Sequence, residues 1–329
     1  MSYKTSSTTV IDSDNSVVFK EMIVGVHHTI VTALGNGASN GYAIGGYNHP
    51  PYTGFSRVEK FPFATATTDA TNVGDLLTAA RFGQGASRSF THCYVAGGGN
   101  PTSSYHDNIE KFPSSADASA SDVGDLTQAR QTAGNTDLTG GQGYASGGNT
   151  APTNFNTVDN YPFASDANAS DVGDLTQARG YVAGQSSTTH GYVSGGYTSS
   201  SQNIIDKFPF STDENASDVG DLTQARYSVD GTSSSTHGYT EGGYIYPGNS
   251  YPNILDKFSF ASDGNATDVG DMTIQKSARA GISSMTHGYH AGGSPQVDTI
   301  DRYPFAIDEN ATDVGNLSAV NVNQAGNEG

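Results

Sequence analysis

The chain has 329 residues, a formal net charge of −18 and a single cysteine, and only 34% of its residues are hydrophobic. This acidity disfavours nucleic acid as a partner, because phosphates are bound by lysine and arginine, and one cysteine excludes an internal disulfide framework. No apolar run reaches the roughly 20 residues of a membrane-spanning helix, whereas 18 Tyr and 14 Phe argue against disorder.

The first segment, residues 1–22, precedes every repeated motif and is mostly polar. It contains no apolar stretch of the signal-peptide type, so we expect a protein that is made in the cytoplasm. Polar terminal segments outside a repeat can become ordered on assembly. The sequence therefore predicts a short N-terminal arm over residues 1–22 and a separate domain over residues 23–329.

Beyond the arm, three motifs recur six times in a fixed order. A Gly pair stands at 45–46, 97–98, 147–148, 195–196, 242–243 and 292–293. An acidic-aromatic motif follows it, as VEKFPF, IEKFPS, VDNYPF, IDKFPF, LDKFSF and IDRYPF. A Val-Gly of the DVGDL type comes next, at 73–74, 123–124, 172–173, 219–220, 269–270 and 314–315. The period of 45 to 50 residues is typical of a repeat architecture.

Each repeated unit divides into four short strand segments. In the fourth unit these are GYVAGQSST (180–188), HGYVSGGY (190–197), NIIDKFPF (203–210) and DVGDLTQAR (218–226). The third alternates apolar and polar residues, while Gly, Pro, Asn and Asp separate the segments and no amphipathic helical run appears. Four strands per unit, repeated six times, predict an all-β fold, a six-bladed β-propeller with four-stranded blades.

Several periodic side chains are expected to serve this scaffold. The small residues of each first strand suit the crowded central axis, and a Tyr three residues before each Gly pair is expected to pack between blades. The tyrosines are Tyr42, Tyr94, Tyr144, Tyr192, Tyr239 and Tyr289. We expect ion pairs to acids of the same or next blade from five arginines, Arg81, Arg130, Arg179, Arg226 and Arg279. Structural hydrogen bonds are expected of His92, His190, His237 and His287.

Length variation is concentrated in the loop between the second and third strands. The gap from the second Gly of the pair to the motif aromatic runs from 10 residues (Gly293 to Tyr303) to 15 (Gly243 to Phe258). Variable loops on one face of a repeat often form its binding face, although plain solvated loops are the alternative. The candidate ligand-binding residues are Tyr52, Tyr105, Phe155, Tyr246 and Tyr251.

The turns before DVGDL present oxygen ligands at alternate positions. Asp213, Asn215 and Asp218 make this turn a candidate Ca²⁺ site, since hard cations prefer such oxygens. No bidentate Glu follows at the usual distance. The alternative is an Asx-type turn, in which these side chains accept hydrogen bonds from nearby backbone amides.

The unit, with its Arg, Gly-Gly strand, acidic-aromatic strand and return strand, resembles a kelch repeat over roughly residues 30–317. Val stands where that family usually has Trp. The resemblance implies a propeller of the galactose-oxidase-like type, a class that includes both enzymes and binding modules. Cys93 lies inside a repeat strand, and no paired catalytic carboxylates or phosphate loop stand apart from the repeat. We therefore expect no enzymatic activity, no catalytic residues and no cofactor other than the candidate calcium.

The segment STTVIDSDNSVVF (7–19) and the repeated DVGDLTQAR resemble virion and tail-fibre proteins of marine phages. This implies a non-enzymatic phage virion structural protein: a fibre, decoration or receptor-binding component located in the virion. Its partners would be other virion proteins, held through the N-terminal arm, and a host-surface glycan or protein, with no nucleic acid and no membrane insertion. The alternatives are a cellular kelch-type adaptor and a carbohydrate-binding lectin. A further possibility is that the arm closes the ring as an added strand.

Overall fold

The structure is a computed structural model that describes residues 8–11, 17–20, 39–48, 53–63, 69–77, 83–100, 104–277, 280–294, 297–321 and 325–328. Every regular element in this part is a β-strand, and the described residues include no helix long and apolar enough to cross a membrane. The chain divides into two compact units, Met1–Gly35 and Asn36–Gly329.

The described residues of the first unit form a pair of antiparallel strands. Strands β1 (Thr8–Ile11) and β2 (Val17–Lys20) pair with each other, with Thr8 opposite Lys20 and Ile11 opposite Val17. The predicted arm boundary after residue 22 lies outside the described residues, so the extent of the arm stays a prediction.

The described part of the second unit contains six antiparallel blades. Blade 1 contains β3 (Asn40–Ile44), β6 (Arg57–Pro62) and β7 (Thr71–Asp75), and the short β4 (Tyr47–Asn48) and β5 (Thr53–Gly54) form a separate two-stranded sheet beside it in the chain. Blade 2 contains β8 (Gly85–Arg88), β9 (His92–Ala96), β10 (Asn108–Pro113) and β11 (Ser121–Asp125). Blade 3 contains β12 (Gln131–Asp137), β13 (Gln142–Thr150), the short β14 (Thr153–Asn154), β15 (Thr157–Pro162) and β16 (Ser170–Asp174).

The remaining three blades repeat the same order. Blade 4 contains β17 (Ala183–Ser186), β18 (His190–Ser194), β19 (Ile204–Pro209) and β20 (Ser217–Asp221). Blade 5 contains β21 (Asp230–Ser233), β22 (His237–Glu241), β23 (Ile254–Ser259) and β24 (Thr267–Asp271). Blade 6 contains β25 (Ala280–Ser283), β26 (His287–Ala291), β27 (Val297–Pro304) and β28 (Thr312–Asn321). This confirms the predicted all-β, six-bladed propeller.

The C-terminal strand closes the ring. Strand β29 (Ala325–Glu328) pairs with β3 and becomes the innermost strand of blade 1, in the order β29-β3-β6-β7. The innermost strands then contact one another in sequence around the axis: β8, β12, β17, β21, β25, β29 and again β8. The closing strand comes from the C-terminal end of the chain rather than from the N-terminal arm.

The innermost strands approach closely at one level of the axis, where five blades carry glycine and blade 2 carries the small Ala86. A methyl group on Gly184 would lie 2.1 Å from the carbonyl oxygen of Gly134, and one on Gly231 would lie 2.4 Å from that of Gly184. Gly281 meets Gly231 in the same way. The small first-strand residues predicted from the sequence are therefore required by backbone contact at the centre.

The hydrophobic core is divided among the six blade interfaces, each with its own buried cluster. At the interface of blades 4 and 5, Tyr192 stacks on Phe260 with ring centroids 4.8 Å apart and packs at a tilt on Phe258. The last interface repeats this contact, because Tyr289 of blade 6 stacks on Phe63 of blade 1. The predicted packing of the six tyrosines between blades is confirmed.

Buried ion pairs fix the connections that enter blades 3, 4, 5 and 6 to the blade that follows. Arg179, fully buried, contacts Asp206 at 2.7 Å and donates further hydrogen bonds to the Gly195 and Val193 carbonyl oxygens. Arg130 and Arg226 form the same pair with Asp159 and Asp256. The N–H groups of the guanidinium thus donate to the carboxylate and to backbone carbonyl oxygens, with no need for solvent.

In blade 6 a lysine that was not predicted takes this position, since Lys276 contacts Asp301 at 3.0 Å. The predicted pairing of Arg279 lies outside the described residues and stays a prediction. The register explains the difference, since Lys276 follows Asp271 by five residues, as Arg226 follows Asp221, whereas the Ala-Arg pair comes three residues later. The predicted pairing of Arg81 lies outside the described residues.

Candidate functional site

The register of the strands places two kinds of segment at opposite ends of each blade. In blade 4, Ser194 pairs with Ala183 and Ile205, and Ile204 pairs with Asp221, so these four strand ends lie together. The loop between the second and third strands and the connections between blades leave from this end. We call it the variable face. The other end carries the turn between the third and fourth strands, and we call it the acidic-turn face.

On the acidic-turn face, two of the three residues proposed as calcium ligands, Asn215 and Asp218, have protein partners. Asn215 Oδ1 accepts a hydrogen bond from the Asp174 backbone N–H at 3.0 Å, across the boundary between blades 3 and 4. Asp218 Oδ1 accepts one from the Gly220 N–H at 3.2 Å. The turn therefore shows the bonds expected of an Asx-type turn. The described residues contain no group of three or more His, Cys, Asp or Glu placed to hold a metal ion, and calcium binding stays a prediction.

The same contacts explain why DVGD is repeated. The Ala266 N–H donates to the Asp221 carbonyl oxygen at 2.8 Å, and the Asp221 N–H donates to Asn265 Oδ1 at 3.0 Å. Gly220 lies so close to the next turn that a methyl group on it would come 2.3 Å from the Gly264 carbonyl oxygen. Each DVGD strand thus forms a backbone junction with the turn of the following blade.

A second interblade contact on this face joins exposed charges. Lys207 of blade 4 contacts Asp263 of blade 5 at 2.5 Å, and Lys60–Asp117, Lys111–Asp166 and Lys257–Asp308 repeat it. Blade 3 has Asn160 in place of the lysine, and the Asn160 amide instead donates to Gln142. Asp213 occupies the position of the aspartate in this contact, and the residue at the lysine position is Asn160. Asp213 is therefore an exposed carboxylate with an amide in place of its lysine partner.

The four repeated histidines have the structural role that was predicted. His190 Nδ1 lies 2.8 Å from Thr189 Oγ1, and His92, His237 and His287 contact Thr91, Thr236 and Thr286 in the same way. Burial and the nearby Lys207 lower the pKa of His190, which favours the neutral ring. These rings belong to separate blades and pack beside the interblade tyrosines.

A non-periodic polar group is buried between blades 5 and 6. Glu241 Oε1 accepts hydrogen bonds from the Tyr303 hydroxyl at 2.5 Å and the Thr232 hydroxyl at 2.9 Å. His290 Nε2 lies 3.2 Å from the same oxygen. Burial and the neighbouring Glu241 carboxylate raise the pKa of Tyr303. All four side chains are inaccessible to solvent, so we interpret this group as part of the core rather than as a substrate site.

The variable face carries a continuous group of aromatic rings over blades 4 and 5. We call it the tyrosine cluster, and its members are Tyr181, Tyr197, Tyr227, Tyr244, Tyr246 and Tyr251. Tyr227 lies at its centre, with ring centroids 4.9 Å from Tyr197, 5.4 Å from Tyr244 and 5.7 Å from Tyr181.

Two loops support the outer rings of the cluster. Tyr251 packs on Tyr244 at 4.7 Å, and Tyr246 packs on Tyr197 at 6.1 Å. The Tyr246 N–H donates to Ser201 Oγ at 2.7 Å, and the Ser201 N–H donates back to the Tyr246 carbonyl oxygen at 2.9 Å. The loops of blades 4 and 5 are thus joined into one surface.

The cluster combines burial with backbone strain. Burial, and then the neighbouring tyrosines, raise the pKa of Tyr227 to about 12. Tyr181 has a φ of 57° and Ser228 one of 51°, a left-handed conformation that is uncommon outside glycine. Such strain persists where the surrounding structure enforces it, and it is concentrated at functional sites.

The structure brings together some of the predicted ligand-binding residues but not all. Tyr246 and Tyr251 belong to the tyrosine cluster. Tyr105 and Phe155 lie on the variable face over blades 2 and 3, where the Tyr105 hydroxyl accepts a hydrogen bond from the Ala151 N–H at 2.8 Å. The described ring contacts do not connect either residue to the cluster. Tyr52 lies outside the described residues.

Four members of the cluster were not predicted from the sequence: Tyr181, Tyr197, Tyr227 and Tyr244. A signal was available in the departures from the repeat. The residue after the buried Arg or Lys is Gln131, Gly180 or Ser277 in other described units but Tyr227 after Arg226. The connection between blades and the variable loop lie on the same face. Aromatic residues that replace the usual repeat residues in consecutive units are therefore expected to lie close together there.

Comparison with known proteins adds no assignment: no protein-family model and no curated protein matches this chain. The architecture is that of a six-bladed propeller of four-stranded antiparallel blades. Its described surface separates a face of repeated, mutually bonded turns from a face of variable aromatic loops.

Proposed function

We propose that the protein is a non-enzymatic recognition module of the kelch type, a structural component of a phage particle that contacts a glycan or protein through its variable face. The observation that carries this proposal is the separation of the two faces. The repeated side chains of the acidic-turn face bond to neighbouring blades, whereas the non-periodic tyrosines gather on the variable face. Tyr supplies large contact area at low conformational cost, which suits recognition.

The proposed location in a phage particle rests on the sequence of the N-terminal arm and on the near-identical DVGDLTQAR units. An acidic propeller whose rigidity comes from interblade contacts suits an extracellular particle without disulfide bonds. The arm is the proposed tether, because it lies outside the repeat and would become ordered on assembly with other virion proteins.

Mass spectrometry of particles purified by density gradient tests this location. We expect the chain at a fixed copy number per particle, together with the structural proteins. Deletion of residues 2–16 is expected to abolish incorporation and leave a soluble, folded propeller, with the full-length chain as the control. Absence of the chain from purified particles would contradict the virion assignment and favour a cellular adaptor or a lectin. Normal incorporation of the deletion would contradict the tether.

A further inference from the structure

We infer that the tyrosine cluster is a binding site for a neutral saccharide, held by stacking of its sugar rings on exposed tyrosine faces. This inference rests on the proposed function, because it gives a ligand class to the same variable face. It also narrows the site to blades 4 and 5 and so separates Tyr246 and Tyr251 from Tyr105 and Phe155.

The propeller scaffold does not need the tyrosine cluster. The six interblade tyrosines already fill the core at every blade interface. The tyrosine cluster lies outside that core, its side chains are half-buried or exposed, and Tyr246 is 44% exposed. Most large aromatic side chains in this fold are packed between blades, so an exposed aromatic group confined to two adjacent blades indicates a contact surface.

The two loops beside the tyrosine cluster carry no charged side chain. Residues 196–205 and 243–255, which form the two loops, contain no Asp, Glu, Lys or Arg, in a chain with a net charge of −18. A specific anionic ligand would need cationic groups that these loops lack, and the net charge of the chain would repel it. The loops instead supply amides and hydroxyls, which match the hydroxyl groups of a neutral sugar.

The rings of the cluster pack directly against one another. A cage for a cationic ligand requires aromatic faces around an open space, whereas Tyr227 contacts Tyr197, Tyr181 and Tyr244 directly at 4.9 to 5.7 Å. The cluster is therefore a packed ridge that offers ring faces and edges outward. A flat ligand with apolar C–H groups on one side, as in a pyranose ring, fits such a ridge.

Polar groups beside the ridge can orient such a ligand. The Tyr244 hydroxyl donates to Asn249 Oδ1 at 2.8 Å, and Asn249 is exposed with a left-handed φ of 49°. Within the described part of the chain, no acceptor is assigned to the amide N–H groups of Asn249, so they are donors for a sugar oxygen. Fixed polar groups among aromatic faces are the usual composition of a small-molecule site.

The test is an array of neutral oligosaccharides built from hexoses and N-acetylhexosamines, probed with the full-length protein. The oligosaccharide with the strongest signal is then titrated by intrinsic tyrosine fluorescence, which is informative because the chain has no Trp. The variants are Tyr246→Ala and the double variant Tyr197→Ala/Tyr246→Ala. The control is Phe90→Ala, since Phe90 is 47% exposed and lies in a turn on the opposite face.

We expect saturable binding whose Kd rises about ten-fold or more in the double variant, which corresponds to a loss of about 1.4 kcal/mol or more from two aromatic contacts. Phe90→Ala should bind like the wild type. Absence of saccharide binding, or equal binding by the double variant and the wild type with matched thermal stability, would overturn the inference. Neither result bears on the proposed location in a phage particle, which mass spectrometry of purified particles tests separately. Failure of this inference and failure of the proposed function are therefore distinguishable.

Discussion

Substitution of Gly220 by alanine should loosen the junction between blades 4 and 5. The added methyl would lie 2.3 Å from the Gly264 carbonyl oxygen, and Gly220 has a φ of 158°, which a side chain rarely allows. To relieve the clash the blades must separate by about 0.7 Å, which a close-packed interior resists. Two hydrogen bonds would stretch, from the Ala266 N–H to the Asp221 carbonyl oxygen and from the Asp221 N–H to Asn265 Oδ1.

The expected loss follows from these contacts. Overpacking against a rigid backbone costs about 1–3 kcal/mol. Two weakened hydrogen bonds add about 1 kcal/mol each, so we expect the free energy of unfolding to fall by about 3–5 kcal/mol. Gly264→Ala is the matched control, because a methyl group there meets nothing within 4 Å. It should change the free energy by no more than about 0.5 kcal/mol.

Equilibrium unfolding in urea, followed by circular dichroism for the wild type and both variants, measures this difference. The urea concentration at the unfolding midpoint should fall clearly for Gly220→Ala and stay near the wild-type value for Gly264→Ala. Equal midpoints for the two variants would refute the claim that a close backbone contact selects glycine in DVGD.

Two further predictions concern the scaffold. Arg179→Met should lower the free energy of unfolding by about 3–5 kcal/mol, because it leaves the fully buried Asp206 carboxylate uncompensated, whereas Lys207→Met, at an exposed pair, should cost less than about 1 kcal/mol. Comparable losses in urea unfolding would contradict this assignment. Burial raises the pKa of three interblade tyrosines, Tyr144, Tyr192 and Tyr239, to about 12. The unfolded chain ionises its phenols near pH 10, so the folded state retains more protons between pH 10 and 12 and its stability should fall as pH rises through that window. Absorbance at 295 nm should show a late ionisation step that coincides with loss of the folded state, and a single step near pH 10 in folded protein would count against it.

Much of the fold could be predicted because residues that recur at the repeat period make the same contact in each blade. The tyrosine before each Gly pair, the small first strand and the buried Arg–Asp pair each recur at fixed spacing, so one interpretation applied to all units. Tyr192 and Arg179 show this, since their partners Phe260 and Asp206 also belong to repeated motifs.

Where the repeat is broken, sequence alone was insufficient. Lys276 was missed because an Ala-Arg pair stands three residues further on, and only the strand register distinguishes the two. The closing strand Ala325–Glu328 lacks the repeated motifs, so its pairing with β3 depends on the ring geometry. The tyrosine cluster could not be predicted from sequence spacing, because Tyr181 and Tyr246 are 65 residues apart in the chain and join one cluster only through Tyr227 and Tyr197, when adjacent blades pack.

The central claim is that the acidic-turn face holds the blades together and the variable face binds the ligand. Hydrogen exchange of the full-length protein, with and without the tightest-binding oligosaccharide, tests this claim most directly. We predict slower exchange in the loops 197–203 and 244–253, with unchanged exchange in the turns 211–216 and 261–266. Slower exchange in those turns, or protection spread evenly over all six blades, would contradict the account.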